Sequence, residues 1–357
     1  MTVKSAKVII LRKLPAAIES RMAELFDVEF SNEDRHLGKE EIASAMARAD
    51  VLVSTVTDTI DAELIENAGD QLKLIANFGN GVDNIDVDAA YARNITVTNT
   101  PSVLTEDTAD MVMALILALP RRMVEGDRIM REPGSFTGWS PNWMLGRRLG
   151  GKKLGIVGMG RIGQAVAKRA MAFGLEIHYH NRNHVHEEIE QELGATYWDS
   201  LDRLLGHVDF VSANCPSTPA TYHLIGPRRM KLLKQGAYLI NASRGQVLDE
   251  DALADALEEK RLGGAALDVF EREPAVNPRL LEFQNVILLP HMSSATIEGR
   301  LGMGEKVLIN IRTFLDGHRP PDRVLPTLAT EKYEGLLSIS VPLECVRMMA
   351  MNAKTGH

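Results

Sequence analysis

Short apolar runs alternate with amphipathic stretches along most of the chain. The runs are rich in Val, Ile and Leu, and they occur at residues 8–11, 50–54, 72–76, 95–98, 154–157, 175–179, 208–212, 236–241, 264–268 and 286–290. Stretches of helical spacing separate them, for example at 16–26, 250–260 and 294–314. Strands that alternate with helices form parallel sheets. The pattern therefore predicts an α/β protein with doubly wound parallel sheets.

Residues 152–163 combine a buried-strand run with the glycine spacing G-x-G-x-x-G. The first glycine, Gly158, allows a tight turn, Gly160 lets a pyrophosphate approach the backbone, and Gly163 lets the helix pack on the strand. A one-sided apolar helix and a second strand run at 175–179 follow, which is the context of a βαβ unit. The motif predicts dinucleotide binding, and the alternative is a glycine turn that only packs tightly.

The residues after the second strand of this unit bear on the choice of coenzyme. An NAD site commonly has an acidic residue there, about 20 residues after the glycines, which binds the ribose 2′-hydroxyl. The chain instead has HNRNH at 180–184. A carboxylate would repel a 2′-phosphate, whereas Arg182 can hold one in a charged fork. We therefore expect NADP(H). The alternative is that Arg182 is a solvated surface residue and that Asn181 serves NAD(H) through neutral hydrogen bonds.

A long helical pattern occupies the middle of the first half of the chain. Thr105 or Asp107 is expected to cap its N-terminus, and the pattern runs to about Arg131 with a kink or break at Pro120. Residues 132–150 have no periodic pattern and contain two tryptophans. This stretch is either an arm that packs on a partner subunit or an ordinary loop with buried tryptophans.

Composition narrows the function classes. The 357 residues suffice for two ordinary domains. A formal net charge of -8 argues against a binder of nucleic acid or anionic membranes. The two cysteines give no disulfide framework and indicate a reducing compartment. The start of the chain has no signal-peptide pattern, and the apolar stretch at 111–119 is too short to span a bilayer. We therefore expect a cytoplasmic protein, and no metal site is predicted.

Charged and polar residues follow several of the predicted strands. Ligands of an open parallel sheet bind outside the carboxyl ends of its strands. The residues at such ends are Arg244, Asp268, Glu271, Glu273 and His291, and a glycine-rich loop with Asn80 and Gly81 follows the run at 72–76. We expect these groups to face one crevice.

This set of groups suits hydride transfer to a 2-oxo acid or from a 2-hydroxy acid. Successive N–H groups near Asn80 and Gly81 can form an anion site for the substrate carboxylate. Arg244 can hold the carboxylate in a bidentate manner and polarise the carbonyl group. His291 has an imidazole suited to proton transfer near neutral pH, and Glu273 behind it would fix its tautomer.

Each of these residues also has a structural interpretation. A single histidine after a strand is more often structural than catalytic. Arg244 can pair with Asp249 or Glu250, which are close in sequence, and Glu273 can belong to a solvated turn. The joint position of the groups at strand ends is what favours the active-site interpretation.

Four motifs make the chain recognisable. They are GMGRIG at 158–163, NASRGQ at 241–246, LDVFEREP at 267–274 and PHMSSAT at 290–296. Their sequences and order resemble the D-isomer-specific 2-hydroxyacid dehydrogenases over about residues 7–324. Within that family the chain is most similar to the glyoxylate/hydroxypyruvate reductase and D-glycerate dehydrogenase branch. The resemblance implies reduction of glyoxylate or hydroxypyruvate, to glycolate or D-glycerate. In place of the acidic residue of NAD-dependent members the chain has Asn181 and Arg182, so NADP(H) stays the expected coenzyme, with NAD(H) possible.

The resemblance also implies roles for individual residues. Arg244, Glu273 and His291 would be the catalytic three. Asn80, Gly81 and Ser294 would lie at the substrate with Arg244 and His291, and Asp268 would meet the carboxamide end of the nicotinamide. The other coenzyme contacts would be Gly158, Gly160, Arg161, Ile162, Gly163, Asn181, Arg182, Pro216, Ala242, Ser243 and Ser293.

Domain organisation and assembly follow from the same resemblance. It implies a flavodoxin-like substrate domain at 1–101 plus 292–325 and an NAD(P)-binding Rossmann domain at 102–291, with a tail of no predicted role at 326–357. Family members dimerise through the nucleotide domain, which favours an arm over residues 120–147. Two other functions stay open. One is an NAD(H)-sensing corepressor-like binding protein of the same fold, and the other is a dehydrogenase for another D-2-hydroxy acid.

Overall fold

The structure, a computed structural model, describes residues 6–326 of the chain. These residues form two compact units, one of residues 6–101 and 303–326 and the other of residues 102–302. The sequence-based domain limits, 1–101 plus 292–325 and 102–291, stay a prediction. Beyond its first residue, the tail at 326–357 lies outside the described residues.

The first unit contains a five-stranded parallel sheet. Its strands are β1 (Lys7–Ile10), β2 (Asp27–Glu29), β3 (Val51–Thr55), β4 (Leu74–Phe78) and β5 (Thr96–Thr98). Helices α1 (Ala16–Leu25), α2 (Lys39–Met46), α3 (Ala62–Glu66) and α4 (Val87–Ala92) connect them. The strand order β2-β1-β3-β4-β5 is that of flavodoxin-like sheets.

The second unit contains a seven-stranded parallel sheet. Its strands are β6 (Lys153–Val157), β7 (Glu176–His180), β8 (Thr196–Tyr197), β9 (Phe210–Ala213), β10 (Ala237–Asn241), β11 (Leu262–Leu267) and β12 (Val286–Leu288). Its helices are α5 (Thr105–Ala118), α6 (Met123–Arg131), α7 (Arg161–Ala172), α8 (Glu187–Leu193), α9 (Leu201–Leu205), α10 (Pro227–Met230) and α11 (Glu250–Glu258). The order β12-β11-β10-β9-β6-β7-β8 is that of a Rossmann sheet.

The strands of the second unit are buried on both faces. Ile156 and Ile240 pack in one hydrophobic cluster, whereas the adjacent Val157 and Leu239 pack in another. Successive strand residues point to opposite faces of a sheet, so each face is covered by its own cluster. Burial on both sides explains why the strands appear in the sequence as continuous apolar runs. The predicted α/β class with two doubly wound parallel sheets is confirmed.

The long helix predicted before residue 131 is two helices. The break lies between α5 and α6, at Pro120, where sequence analysis predicted a kink or a break. The predicted cap is wrong, because Thr105 and Asp107 lie inside α5. The carbonyl of Leu104 already accepts from the Thr108 N–H at 3.1 Å, so the helix begins without a capping side chain.

A last helix, α12 (Ile297–Leu315), supplies residues to both units, and those from 303 onward belong to the first. Among the helices of residues 6–326, none combines the length and the apolarity needed to cross a bilayer.

The irregular stretch at 132–150 has exposed tryptophans. Trp139 is 82% exposed and Trp143 is 40% exposed, so the alternative of a loop with buried tryptophans is wrong. Phe136 stacks on Trp143 with ring centroids 5.6 Å apart, and both rings remain accessible. An apolar exposed segment of this kind is suited to contact with another protein surface.

A buried histidine in the second unit makes stability depend on pH. Nδ1 of His178 accepts from the Trp198 indole at 3.2 Å, and burial lowers the pKa of His178 below its ordinary value of 6.5, aided by the nearby His207 and Lys153. As the pH falls below that value, the unfolded chain binds the proton first, so the free energy of unfolding decreases.

We expect His178→Gln, which keeps an acceptor for the indole, to reduce this acid sensitivity. The measurement is the midpoint of thermal unfolding at about pH 7.5 and about pH 5.5. The midpoint should fall further in wild type than in the variant, because one proton changes the free energy of unfolding by at most about 1.4 kcal/mol per pH unit. The control, His36→Gln, changes an exposed histidine and should behave as wild type. An equal decrease of the midpoint in all three proteins would show that His178 does not cause the acid sensitivity.

Candidate active site

The glycine motif lies where β6 is flanked by β7 and β9, the switch point of the second sheet. Gly158 has a φ of 101°, and a Cβ on it would come within 2.8 Å of the Asn214 and Cys215 backbone. A Cβ on Gly163 would come within 2.3 Å of the Gly158 carbonyl oxygen. A Cβ on Gly160, in contrast, would have no atom within 4 Å. Packing requires the first and third glycines, and the second leaves open space.

Helix α7 begins directly after that open space. Its first residues are Arg161 and Ile162, and no side chain caps the helix at Gly160. The N–H groups of a first helical turn lack partners within the helix and carry the positive end of its dipole. Tight packing explains Gly158 and Gly163 but not Gly160. Phosphate binding also explains the open space at Gly160.

Asn181 and Arg182 follow β7. Oδ1 of Asn181 accepts from the Met159 N–H at 2.7 Å, which ties the end of β7 to the glycine turn. Arg182 is exposed, and its guanidinium makes no ion pair or side-chain hydrogen bond within the described residues. A cation at this position that has no ion-pair partner in the described part of the chain is available to a phosphate.

The remaining predicted coenzyme contacts lie at strand ends of the same unit. Pro216 follows β9, and Ala242 and Ser243 follow β10. The Ser293 hydroxyl, after β12, is buried and has no hydrogen-bond partner in residues 6–326. A buried hydroxyl without a partner and the open space at Gly160 both fit a bound dinucleotide.

His291 and Glu273 form a hydrogen-bonded pair. Nδ1 of His291 lies 2.8 Å from Oε2 of Glu273, and the Phe270 N–H donates to Oε1 at 2.9 Å. Partial burial disfavours the charged carboxylate, but these hydrogen bonds outweigh it and lower the pKa of Glu273. Glu273 is therefore ionised at neutral pH, and Nδ1 of His291 carries the shared proton. Nε2 is the nitrogen left for a substrate.

Asp268 shapes the turn that carries His291. It is fully buried, and its two carboxylate oxygens accept from the N–H groups of Met292 and Ser293, each at 2.8 Å. The Asp268 carbonyl accepts from the His291 N–H at 2.8 Å. His291 has a φ of 53°, a left-handed conformation that costs a non-glycine residue roughly 1–3 kcal/mol. These hydrogen bonds stabilise that conformation and so fix where the imidazole lies.

Arg244 lies beside Glu273 because two loops touch through Gly245. A Cβ on Gly245 would come within 1.9 Å of the Phe270 carbonyl carbon, so no side chain fits there. Nη1 of Arg244 donates to the Ser243 carbonyl at 2.9 Å. Burial raises the pKa of Glu273, and the hydrogen bonds described above lower it. The positive charge of Arg244 lowers it further. The structure thus brings Arg244, Glu273 and His291 together at the ends of β10, β11 and β12.

The comparison with protein families decides between the functional classes. Residues 113–293 match the family described as D-isomer specific 2-hydroxyacid dehydrogenase, NAD binding domain. The chain belongs to this family. It is an NAD(P)-dependent dehydrogenase, which confirms the predicted family and reaction class and disfavours a sensor without catalysis.

Relatives of this dehydrogenase include glyoxylate reductases. It is 46% identical to that of Thermococcus litoralis over 321 residues, 89% of this chain and 96% of the other. It is 44% identical to that of Pyrococcus horikoshii over 322 residues, 89% of this chain and 95% of the other. A crystal structure of an NADPH-dependent glyoxylate/hydroxypyruvate reductase from Sinorhizobium meliloti, in complex with NADP and malonate, is similar with a TM-score of 0.79 and 32% identity. That match covers 90% of this chain and 97% of the other.

Two predicted substrate contacts of the dehydrogenase, Asn80 and Gly81, lie in the first unit directly after β4. Their N–H groups donate to no other group in residues 6–326. A Cβ on Gly79 would come within 2.3 Å of the Val56 side chain, so Val56 packs closely against the backbone there. Ser294, the third predicted contact, is part of the second unit.

Sequence analysis missed residues that hold the dehydrogenase's loops in place. Buried Glu250 accepts from the Glu271 N–H at 2.7 Å, and Nε2 of Gln246 donates to the Glu271 carbonyl at 3.2 Å. Nε2 of His223 lies 3.0 Å from the Glu271 carboxylate. Glu271 is thus held at its backbone and its side chain, two residues before the proposed catalytic residue Glu273. Sequence analysis selected Glu271 by its position after β11, but it did not identify the residues that hold it.

Proposed function

We propose that the dehydrogenase reduces glyoxylate, hydroxypyruvate or both, to glycolate and D-glycerate. The observation that carries the proposal is the His291–Glu273 pair, at 2.8 Å, beside Arg244. A 2-oxo acid needs a proton donor for its carbonyl oxygen and a cation for its carboxylate, and this arrangement offers both. The relatives named glyoxylate reductase support the choice of a small oxo acid.

Each proposed residue has a distinct task. Arg244 binds the substrate carboxylate and polarises the carbonyl, and His291 donates a proton from Nε2 to the carbonyl oxygen. Glu273 holds the imidazole and stabilises its protonated form. Asn80 and Gly81 stay proposed contacts of the substrate carboxylate. When bound, the nicotinamide coenzyme supplies the hydride that adds to the carbonyl carbon.

Initial rates with a series of 2-oxo acids and both coenzymes test the proposal. Glyoxylate or hydroxypyruvate should give the highest kcat/KM. A preference for a bulkier oxo acid would favour the alternative of a dehydrogenase for another D-2-hydroxy acid, and no turnover of any 2-oxo acid would refute the proposed function.

We propose NADP(H) as the preferred coenzyme. Two features at the end of β7 support this choice, namely Asn181 in the place of an acidic residue and the exposed Arg182, which has no ion-pair partner among residues 6–326. The ribose 2′-phosphate of NADP(H) carries a charge near −2, which a guanidinium stabilises through charge-assisted hydrogen bonds.

We expect Arg182→Ala to lower kcat/KM for NADPH by about ten- to a hundredfold, since a charge-assisted bond contributes roughly 1.5–3 kcal/mol. The value for NADH should change little, because NADH has no phosphate at that position. Steady-state rates with each coenzyme at saturating oxo acid provide the measurement.

Asn181→Asp should shift the preference in the same direction. An aspartate keeps an oxygen for the Met159 N–H, so the turn is preserved, and its charge repels the phosphate. Arg203→Ala, which removes an exposed arginine of the same unit, is the matched control and should leave the ratio unchanged. A wild type that prefers NADH, or an Arg182→Ala variant equally impaired with both coenzymes, would show that Arg182 has a structural role.

We also propose that the dehydrogenase is a homodimer whose interface includes the exposed segment at 132–150. The support is the exposure of Phe136, Trp139 and Trp143. Light scattering of wild type and of Trp139→Ser tests this proposal, and a monomeric wild type would refute it. The cytoplasmic location, based on cysteine usage, stays a prediction.

A further inference from the structure

The loop at residues 79–81 is held through its three successive carbonyl groups. The Gly79 carbonyl accepts from the Thr100 N–H at 2.9 Å. The Asn80 carbonyl accepts from Nδ2 of Asn99 at 2.7 Å. The Gly81 carbonyl accepts from Nδ2 of Asn77 at 2.7 Å. All three donors belong to β4 or to the residues that follow β5.

These bonds also set the direction of the N–H groups in the loop. In a trans peptide the carbonyl oxygen and the following N–H lie in one plane and point in opposite directions. The bond from Asn99 to the Asn80 carbonyl therefore turns the Gly81 N–H away from Asn99. The bond from the Thr100 N–H to the Gly79 carbonyl likewise turns the Asn80 N–H away from Thr100. These two adjacent N–H groups point away from residues 99–100, have no partner in the described residues and are therefore available to an anion.

Asn99 is itself held at both of its backbone groups. Its N–H donates to the Asp322 carbonyl at 3.2 Å, and its carbonyl accepts from Nδ2 of Asn310 at 3.4 Å. Asn310 is fully buried and also donates to the Asp322 carboxylate at 3.1 Å. Lys306 completes the network, with Nζ 2.9 Å from that carboxylate. The side-chain amide of Asn99 is therefore presented to the loop by a fixed backbone.

We infer that Asn99 is a positioning residue for substrate binding, because its amide orients the Gly81 N–H toward the carboxylate of a 2-oxo acid. The inference rests on the proposed function, which supplies that carboxylate. Without the amide, the peptide between Asn80 and Gly81 can rotate, and substrate binding must then order it. The loss falls on binding of the oxo acid, since the loop is proposed to bind the carboxylate and His291 is proposed to donate the proton.

We expect Asn99→Ala to raise KM for glyoxylate about tenfold, the effect of one lost hydrogen bond, while kcat stays within about threefold of wild type. KM for the coenzyme should not change. A residue with only a structural role would instead lower the thermal unfolding midpoint and impair kcat and both KM values together. Should the alanine variant fail to fold, Asn99→Ser makes the same comparison, since a serine hydroxyl is too short to reach the carbonyl.

Asn67→Ala is the matched control. Nδ2 of Asn67 donates to the Glu63 carbonyl at 2.8 Å on an exposed surface of the same unit, so an equal chemical change is made away from the loop. It should leave every kinetic parameter unchanged. A wild type that reduces glyoxylate, together with an unchanged KM in folded Asn99→Ala, overturns this inference alone. A wild type that reduces no 2-oxo acid refutes the proposed function instead.

Discussion

The His291→Ala variant is expected to lose roughly 100- to 10,000-fold in kcat, the usual contribution of a general acid. The imidazole is the proposed proton donor, and its Nδ1 lies 2.8 Å from the Glu273 carboxylate, which leaves Nε2 for the substrate. Alanine removes the proton donor but keeps the loop, because Asp268 binds that loop through backbone N–H groups. Coenzyme binding should therefore persist.

Two measurements check this expectation. Stopped-flow or steady-state rates give kcat, and coenzyme fluorescence titration gives the dissociation constant of the coenzyme. His186→Ala, which removes an exposed histidine of the same unit, is the control and should keep full turnover. If the His291→Ala variant retained kcat within tenfold of wild type, the proton donor would be another group.

The parts of the site that sequence analysis predicted are those that depend on local patterns. The glycine spacing at 158–163 was interpretable because Gly158 and Gly163 meet close backbone contacts, whereas Gly160 leaves open space before helix α7. Arg244, Glu273 and His291 were found because parallel strands place their carboxyl ends at one edge of the sheet. Strand periodicity and topology were therefore sufficient to select these residues.

The parts that sequence analysis missed depend on contacts between distant segments. Asn99 and the Asn80 carbonyl are 19 residues apart, and Glu250 and the Glu271 N–H are 21 residues apart. Which carbonyl or N–H a polar side chain reaches is decided by packing, not by the local sequence pattern. Asn99 nevertheless directly follows β5, so the strand-end rule applied to every strand would have selected it.

The contact of Gly245 with Phe270 has the same origin. In the sequence, a glycine after an arginine indicates only an ordinary turn. The folded chain shows that the backbone at Phe270 occupies the place that a Cβ on Gly245 would take. This contact brings Arg244 next to Glu273, so the position of the guanidinium depends on a neighbouring glycine. The charge and the shape of the site are thus fixed by different residues.

The Arg244→Lys variant is expected to lose roughly 100- to 1,000-fold in kcat/KM for the oxo acid, with both KM and kcat impaired. Lysine keeps the positive charge but lacks the planar fork that can bind a carboxylate and a carbonyl oxygen together. It also differs from arginine on the protein side, because Nη1 of Arg244 donates to the Ser243 carbonyl at 2.9 Å and so holds the side chain in place. A flexible ammonium group would have to be ordered by the substrate.

The split between kcat and KM identifies what Arg244 does. Loss in both shows that it binds the carboxylate and stabilises the charge that develops on the carbonyl oxygen. An unchanged KM with a lower kcat would assign the carboxylate to the loop at Asn80 and Gly81 alone. Arg203→Lys, an equal change at an exposed arginine of the same unit, should leave both parameters at wild-type values. Because Asn99→Ala is expected to raise KM alone, the two variants together separate binding of the carboxylate from polarisation of the carbonyl.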